Sequence, residues 1–247
     1  MSFFGQPYFF RRNLQVNITK LITGPFSINT WIVPFYQNKV LIIDPAACDL
    51  THDQNKITYY LEQNNLEPTA ILLTHGHFDH IPGTKILKEK YPDLPIICHK
   101  ADAEIAGSQA PSHQAQALSL MGLEMLIPAI TDLPDCDITY SNDCTLDTLL
   151  QDFIKDPMQD LLSSLKKWQI LCTPGHTPGS VCIYNKTENI LFSGDTIFYH
   201  SYGRTDLPGG SEATIKHSLN MLYSTLSPDT KVYPGHDLSG FALEENL

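Results

Sequence analysis

Residues 70–83 read AILLTHGHFDHIPG, an aliphatic run followed by three histidines and an aspartate within six positions. A short apolar run bounded by turn residues reads as a buried strand. His75, His77, Asp79 and His80 therefore hang on the loop at its carboxyl end. Chance would assemble an H-x-H-x-D-H pattern in only about one in a thousand such sequences. The spacing has a mechanical meaning. His75 and His77, two apart in an extended loop, point the same way and grip one ion at Zn–N distances of roughly 2.0–2.1 Å. Asp79 and His80, being adjacent, diverge from that pair and suit a second ion.

Four more predicted strands run into residues of the same kind. VLII (40–43) leads into Asp44, WQILC (168–172) through TPG into His176, ILFSG (190–194) into Asp195, and KVYPG (231–235) into His236. Ligands gather at the carboxyl ends of strands because the loops converge there on a rigid frame. Gly76, Gly175, Gly194 and Gly235 stand beside these residues, where backbone must crowd close. His176 and His236 supply one further ligand apiece, and Asp195, with two carboxylate oxygens, bridges. Two ions roughly 3.5–4 Å apart share a hydroxide and polarise a carbonyl or phosphoryl oxygen. For Asp44 two readings stand side by side: a turn former before Pro45, or the acceptor for the non-ligating nitrogen of a metal-bound histidine. His52, His99, His113, His200 and His217 read as ordinary core or surface residues. Arg204, in the loop after Asp195, is a candidate fork for a substrate carboxylate, the alternative being a surface pair with Asp206. Tyr202 and Tyr199 are candidates for the same pocket.

The rest of the chain frames this centre. Further strands are expected at 16–22, 30–35, 95–98 and 180–184, and helices at 51–65, 82–90, 100–107, 112–126 and 212–226, the last capped by Ser211. Asp156-Pro157-Met158-Gln159 has the form of a helix start, with an acceptor, a first-turn proline and a reciprocal Gln. Residues 127–160 are the least regular and read as an insertion or lid. Strands and helices mix without strict alternation, which predicts an α/β fold of two sheets with helices outside, in one domain over 1–247. With 247 residues, 42% hydrophobic and 17% charged, the chain has a core of its own and is not a disordered polymer. Its 16 Lys and Arg against 27 Asp and Glu leave a net charge of −11, which disfavours nucleic acid as a partner. No run reaches the 18 or so apolar residues of a membrane span. The six cysteines form no C-x-x-C pair and read as reduced thiols, and MSFFGQPYFFRRN (1–13) lacks the order of a secretory signal, so the expected location is cytoplasmic. That aromatic segment reads as a docked edge or a contact between copies of the chain in a homo-dimer.

These residues resemble the metallo-β-lactamase-fold superfamily, in its glyoxalase II-like (hydroxyacylglutathione hydrolase-like) branch. The likeness runs in order through IIDPA (42–46), LLTHGHFDHIPG (72–83), TPGHTPGS (173–180), FSGDTIF (192–198), GRTDLPGG (203–210) and VYPGH (232–236). It implies an αββα sandwich of two mixed sheets flanked by helices. It also implies that His75, His77 and His176 hold one ion, that Asp79, His80 and His236 hold the other, and that Asp195 bridges. The implied cofactor is two divalent ions, Zn2+ first, with Fe or Mn as alternatives.

The implied activity is hydrolysis of a small-molecule thioester such as S-lactoylglutathione by a metal-bridging hydroxide, with Asp79 aiming it as the catalytic residue. Two alternatives accompany it: a mononuclear iron persulfide dioxygenase using His75, His176 and Asp195, and a non-catalytic metal-binding module. The chain departs from the glyoxalase II pattern in several places. It ends 11 residues after His236, where those enzymes add a helical domain that helps hold glutathione. Arg204 stands in place of a glutathione-contacting Lys, and Asp237 in place of a frequent Gly. Residues 147–166 read as a helical insertion.

Overall fold

The computed structural model describes residues 17–154 and 158–246. The aromatic segment 1–13, with Asp156 and Pro157, lies outside them. The strands are β1 (Thr19–Thr23), β2 (Ile28–Tyr36), β3 (Lys39–Ile43), β4 (Glu67–Leu72), β5 (Ile96–His99), β6 (Ile138–Tyr140), β7 (Cys144–Thr145), β8 (Trp168–Cys172), β9 (Val181–Asn185), β10 (Ile190–Gly194), β11 (Ile197–Phe198), β12 (Ser201–Tyr202), β13 (Lys231–Pro234) and β14 (Phe241–Ala242). The α-helices are α1 (Lys56–Gln63), α2 (Thr84–Lys90), α3 (Ala103–Ala106), α4 (Ala110–Leu120), α5 (Leu146–Leu150), α6 (Gln159–Leu165) and α7 (Glu212–Thr225). Among the described residues, no helix is long and apolar enough to cross a membrane.

Two mixed six-stranded sheets form, in the orders β1-β2-β3-β4-β5-β6 and β14-β13-β10-β9-β8-β7. In the first, β3 to β6 run parallel and β1 to β3 antiparallel. In the second, β10 and β13 are parallel and the other neighbours antiparallel.

The layering follows from strand periodicity, since alternate residues face opposite sides. Trp31, Val33, Leu41, Ile43 and Leu72 of the first sheet meet Ile170, Val181, Ile183 and Phe192 of the second in one buried cluster. Their neighbours Ile32, Val40, Ile42 and Ile71 turn outward onto the helical side with Ile57, Leu61, Leu87 and Leu118. Cys182, Tyr184, Leu191 and Val232 turn outward beneath Ile215, Leu219 and Leu222 of α7. Both faces of each sheet are thus covered, which is why the strands read as continuous apolar runs rather than alternating ones. The result is the expected αββα sandwich.

Most predicted elements hold within a few residues, and Ser211 does cap α7, its hydroxyl accepting from the Thr214 N–H at 3.3 Å. Two expectations change. Residues 127–160 do not form a lid: they carry β6 and β7, the edge strands by which the chain crosses from the first sheet to the second. Such edge strands of two or three residues leave no periodicity to read. The helix expected from Asp156 begins at Gln159, with Met158 at its N-cap and no side-chain cap bond.

Phe192 is fully buried between the sheets, its ring 5.6 Å from Trp31, 6.1 Å from Trp168 and 5.4 Å from Tyr233. Phe192→Ala leaves a cavity in that layer and should cost about 3–5 kcal/mol, read as a lower urea midpoint at fixed metal concentration.

Candidate metal centre

The five loops converge because their strands end at one edge. β8, β10 and β13 share a direction, as do β3 and β4. The two sets are tied where the Val181 N–H donates to the Thr74 carbonyl (2.9 Å) and the Asn29 N–H to the Gly235 carbonyl (2.7 Å). His75, His77, His80 and His176 are buried, while the side chains of Asp79, Asp195 and His236 are 12%, 10% and 22% exposed.

Ligand-capable atoms within 4.8 Å of one another form three overlapping groups: His75 with His77 and His176, His75 with His80 and Asp195, and Asp79 with His80 and His236. His77 Nδ1 and His176 Nε2 face each other at 2.8 Å. Asp195 lies between the sets. Its Oδ1 is 3.4 Å from His80 Nε2, and its Oδ2 is 3.6 Å from His176 Nε2 and 3.4 Å from His236 Nε2. Asp79 Oδ2 faces His236 Nε2 at 3.5 Å. All seven sequence-derived candidates therefore meet in one place. His52, His99, His113, His200 and His217 belong to none of these groups.

Does the donor set fit a cation? His75 Nε2, His80 Nε2 and Asp195 Oδ1 are buried without a hydrogen-bond partner. Native proteins rarely leave such atoms unsatisfied, and imidazole nitrogens beside a carboxylate oxygen are the donors that divalent metals take. The electrostatics agree. Burial, reinforced by His80, holds His75 well below the usual imidazole range, and burial with His176 takes His77 down to about 3. Burial opposes ionisation of Asp79 and Asp195, yet His80 and His236 hold both carboxyls below their usual range. Burial likewise opposes charging of His80 and His236, yet Asp195 with Asp44 and Asp79 holds His80 well above its ordinary value. Hydrogen bonds to Asp195 and Asp79 raise His236 to about 9. Ionised carboxylates thus sit in a dry site where only protons on neighbouring imidazoles balance them, the position a cation takes over.

The orientation of the rings is set from behind, by Asp44, one of the two roles the sequence offered for it, and by Thr74, which the sequence did not mark. Asp44 is both a turn former, with φ 50°, and a histidine acceptor. Its Oδ1 accepts from the Thr74 N–H (2.8 Å), and its Oδ2 from the Thr74 hydroxyl (2.7 Å) and from His80 Nδ1–H (3.0 Å). Because the Thr74 proton goes to Asp44, its oxygen is free to accept from His75 Nδ1–H at 3.1 Å. One carboxylate therefore turns the Nε2 atoms of both His75 and His80 toward the centre. His176 Nδ1–H donates to the Arg204 carbonyl (2.7 Å), which leaves Nε2 facing inward.

Two more buried side chains hold the ligand loop's backbone. Asp102 accepts from the N–H groups of Gly76 (2.9 Å) and Gly179 (2.8 Å) and from the Thr177 hydroxyl (2.6 Å), joining the His75 and His176 loops. Gln114 accepts from the Phe78 N–H (2.9 Å) and donates to the Gly76 carbonyl (3.0 Å). Neither had a spacing signal, since each reaches the loop from the distant 100–120 segment. The glycines matter through close approach. A Cβ on Gly235 would stand 2.5 Å from Asp195 Oδ1 and 2.6 Å from His80 Cε1, so a side chain there would displace the ligands themselves.

The centre opens into a cleft of about 330 Å³ walled by Phe26, Phe78, Met121, Leu123, Phe198 and Leu207, with Arg204 and Asp237 also lining it. Arg204 fulfils the surface-pair alternative: its Nε and Nη2 donate to the two oxygens of Asp206 at 2.7 and 2.8 Å. Tyr202 does not line this cleft. Its hydroxyl donates to Glu212 at 2.7 Å, and it lies in a separate groove beside α7. Tyr199 packs on Phe241 and does not line the cleft either.

Residues 23–236 match the family model described as the metallo-beta-lactamase superfamily. The chain belongs to this superfamily. A probable metallo-hydrolase of Bacillus subtilis, YqgX, is 31% identical over 223 residues, covering 88% of each protein. Among solved structures, BLEG-1, titled a B3 metallo-beta-lactamase, superposes with a TM-score of 0.71 at 26% identity, covering 92% of this chain and 95% of that one. TTHA1623 in a di-iron-bound form gives 0.66 at 28% identity, covering 92% and 96%. This superfamily member thus carries a His/Asp cluster whose ligand atoms could hold divalent metal.

Two substitutions test the supports. Asp44→Asn tolerates the left-handed backbone but faces His80 and Thr74 without a charge, so affinity for divalent metal, measured by chelator competition, should fall 10–100-fold or so. Asp102→Ala strands three buried donors and should lower unfolding free energy by roughly 2–4 kcal/mol in denaturant titration.

Proposed function

We propose that the protein is a dinuclear metal-dependent hydrolase acting on a thioester. The observation that carries the reading is the pair of ligand groups, His75/His77/His176 and Asp79/His80/His236, meeting at Asp195 beneath an open cleft. In this reading the first group would hold one ion, the second would hold another, and Asp195 would serve both. Divalent ions held there, Zn2+ or else Fe or Mn, lower the pKa of water towards ~7 and polarise a carbonyl.

The chain's own residues supply the rest. Asp79, whose carboxylate lines the cleft beside His236, accepts a hydrogen bond from the attacking water and aims it at the acyl carbon. The apolar walls exclude bulk water and hold the acyl group over the centre. Water oxygen bonds to the acyl carbon, the C–S bond breaks, and the sulfur leaves as thiolate. Leaving-group chemistry favours a thioester. Once the histidines are ligands and the aspartates are ionised, the described cleft residues leave no obvious side chain to protonate a departing group. A thiol with a pKa near ~8.5 departs without that help, whereas an amide nitrogen does not. The cytoplasmic location follows the same reading, with a small-molecule substrate and no nucleic-acid or membrane partner.

Protein purified without added metal is expected to hold two ions per chain by elemental analysis and to hydrolyse thioesters anaerobically. One iron per chain with oxygen uptake on a glutathione persulfide would overturn the proposal in favour of a dioxygenase. Asp195→Asn should loosen both ions and cut turnover by at least about a hundredfold. Full activity at full metal content in that variant would remove the bridging role.

A further inference from the structure

The walls of the cleft bear on which thioester it takes. Phe26 comes from the turn between β1 and β2, Phe78 from the ligand loop, Met121 and Leu123 from the segment after α4, and Phe198 and Leu207 from the segment after β10. Four separate stretches therefore contribute apolar surface around the metal ligands. Phe26 stands edge-on to Phe78 at 5.7 Å and is 38% exposed, so a large aromatic face is left open at the mouth.

Among the described residues, and apart from the histidines of the metal centre, the cationic side chain lining the cleft is Arg204, and its guanidinium is already engaged. Nε and Nη2 form a fork onto Asp206, and Nη1 approaches Met121 Sδ at 3.6 Å. Asp206 holds one of the two bidentate edges of Arg204, and Met121 stands against Nη1 on the other. The other charged side chain beside the metal ligands is Asp237, an acid. Carboxylates held along the apolar walls, away from the metal ligands, would lose their hydration with no free cationic side chain to receive them.

We infer that the cleft selects thioesters uncharged and apolar on both sides of the scissile bond and discriminates against those of anionic thiols such as glutathione. The scissile bond rests on the hydrolase reading above, whereas the selectivity is a property of the walls and is measurable without turnover. The apolar acyl and thiol groups lie along Phe26, Phe78, Met121, Leu123 and Leu207. The Arg204–Asp206 pair closes the rim against carboxylates. Specificity here is partly repulsive, because the anionic competitor is left with unpaired charge.

Two thioethers that cannot be hydrolysed separate this from the catalytic proposal: N-acetyl-S-hexylcysteamine, which is uncharged, and S-hexylglutathione, which carries two carboxylates. Calorimetric titration into metal-loaded protein should give the uncharged compound an affinity about tenfold higher or more. Equal or tighter binding of the glutathione compound, or no measurable binding of the uncharged one, overturns the inference. Asp206→Ala frees the Arg204 fork. Because an exposed pair is weak, the variant should bind S-hexylglutathione several-fold more tightly and the uncharged thioether unchanged. No gain for S-hexylglutathione would refute the role of the pair. Hydrolysis of the matching hexanoyl thioesters is read separately: selective binding without turnover would sink the thioesterase proposal and leave the selectivity standing.

Discussion

A buried carboxylate facing two imidazoles from behind is the constraint on which the rest of the centre depends. Asp44 accepts from His80 directly and from His75 through the Thr74 hydroxyl. Each of those imidazoles therefore turns its Nδ1 away from the centre and its Nε2 toward it. Without this relay each ring could rotate or switch tautomer, and the convergent nitrogens would be lost even with the fold intact. The two ligand groups are consequently not independent, since one charge behind the site orients a member of each.

That charge is expensive to bury, and the fold is arranged to satisfy it. Asp44 follows the last residue of a central strand, takes a left-handed backbone conformation and receives an N–H and two side-chain donors. Asp102 repeats the device with three donors drawn from two loops. Both carboxylates exchange their hydration for several protein hydrogen bonds, as a buried charge requires. The ligand loop is rigid for the same reason: Asp102 and Gln114 take its exposed backbone groups, leaving its side chains free to face the centre. The site thus rests on polar groups held between layers whose cohesion comes from apolar packing.

Legibility in the sequence divided along physical lines. The strands of both sheets were readable because both faces are buried and the apolar runs are continuous. The seven ligand candidates were readable because a metal needs a few residue types, and those types stood at strand ends. Residues 127–160 read as an insertion or lid because β6 and β7 are too short to show a period. Asp102 and Gln114 were invisible because they act on the backbone of another segment, and any residue of similar reach would carry the same local pattern. Arg204 was noticed, but its bidentate commitment to Asp206 depends on a turn geometry that composition does not encode. Tyr202 lay close in sequence to Asp195 yet faces α7, because the β11–β12 hairpin carries it away from the cleft.

By itself, then, the amino-acid order determined the αββα layering and the identity of the residues able to hold metal, because burial periodicity and ligand chemistry are local properties of short segments. Only the tertiary structure decided how those residues face one another, which oxygen of Asp195 meets which imidazole, and what the cleft presents to a substrate. Those are matters of distance and direction between segments far apart in the chain, and they exist only once the two sheets have closed on one another.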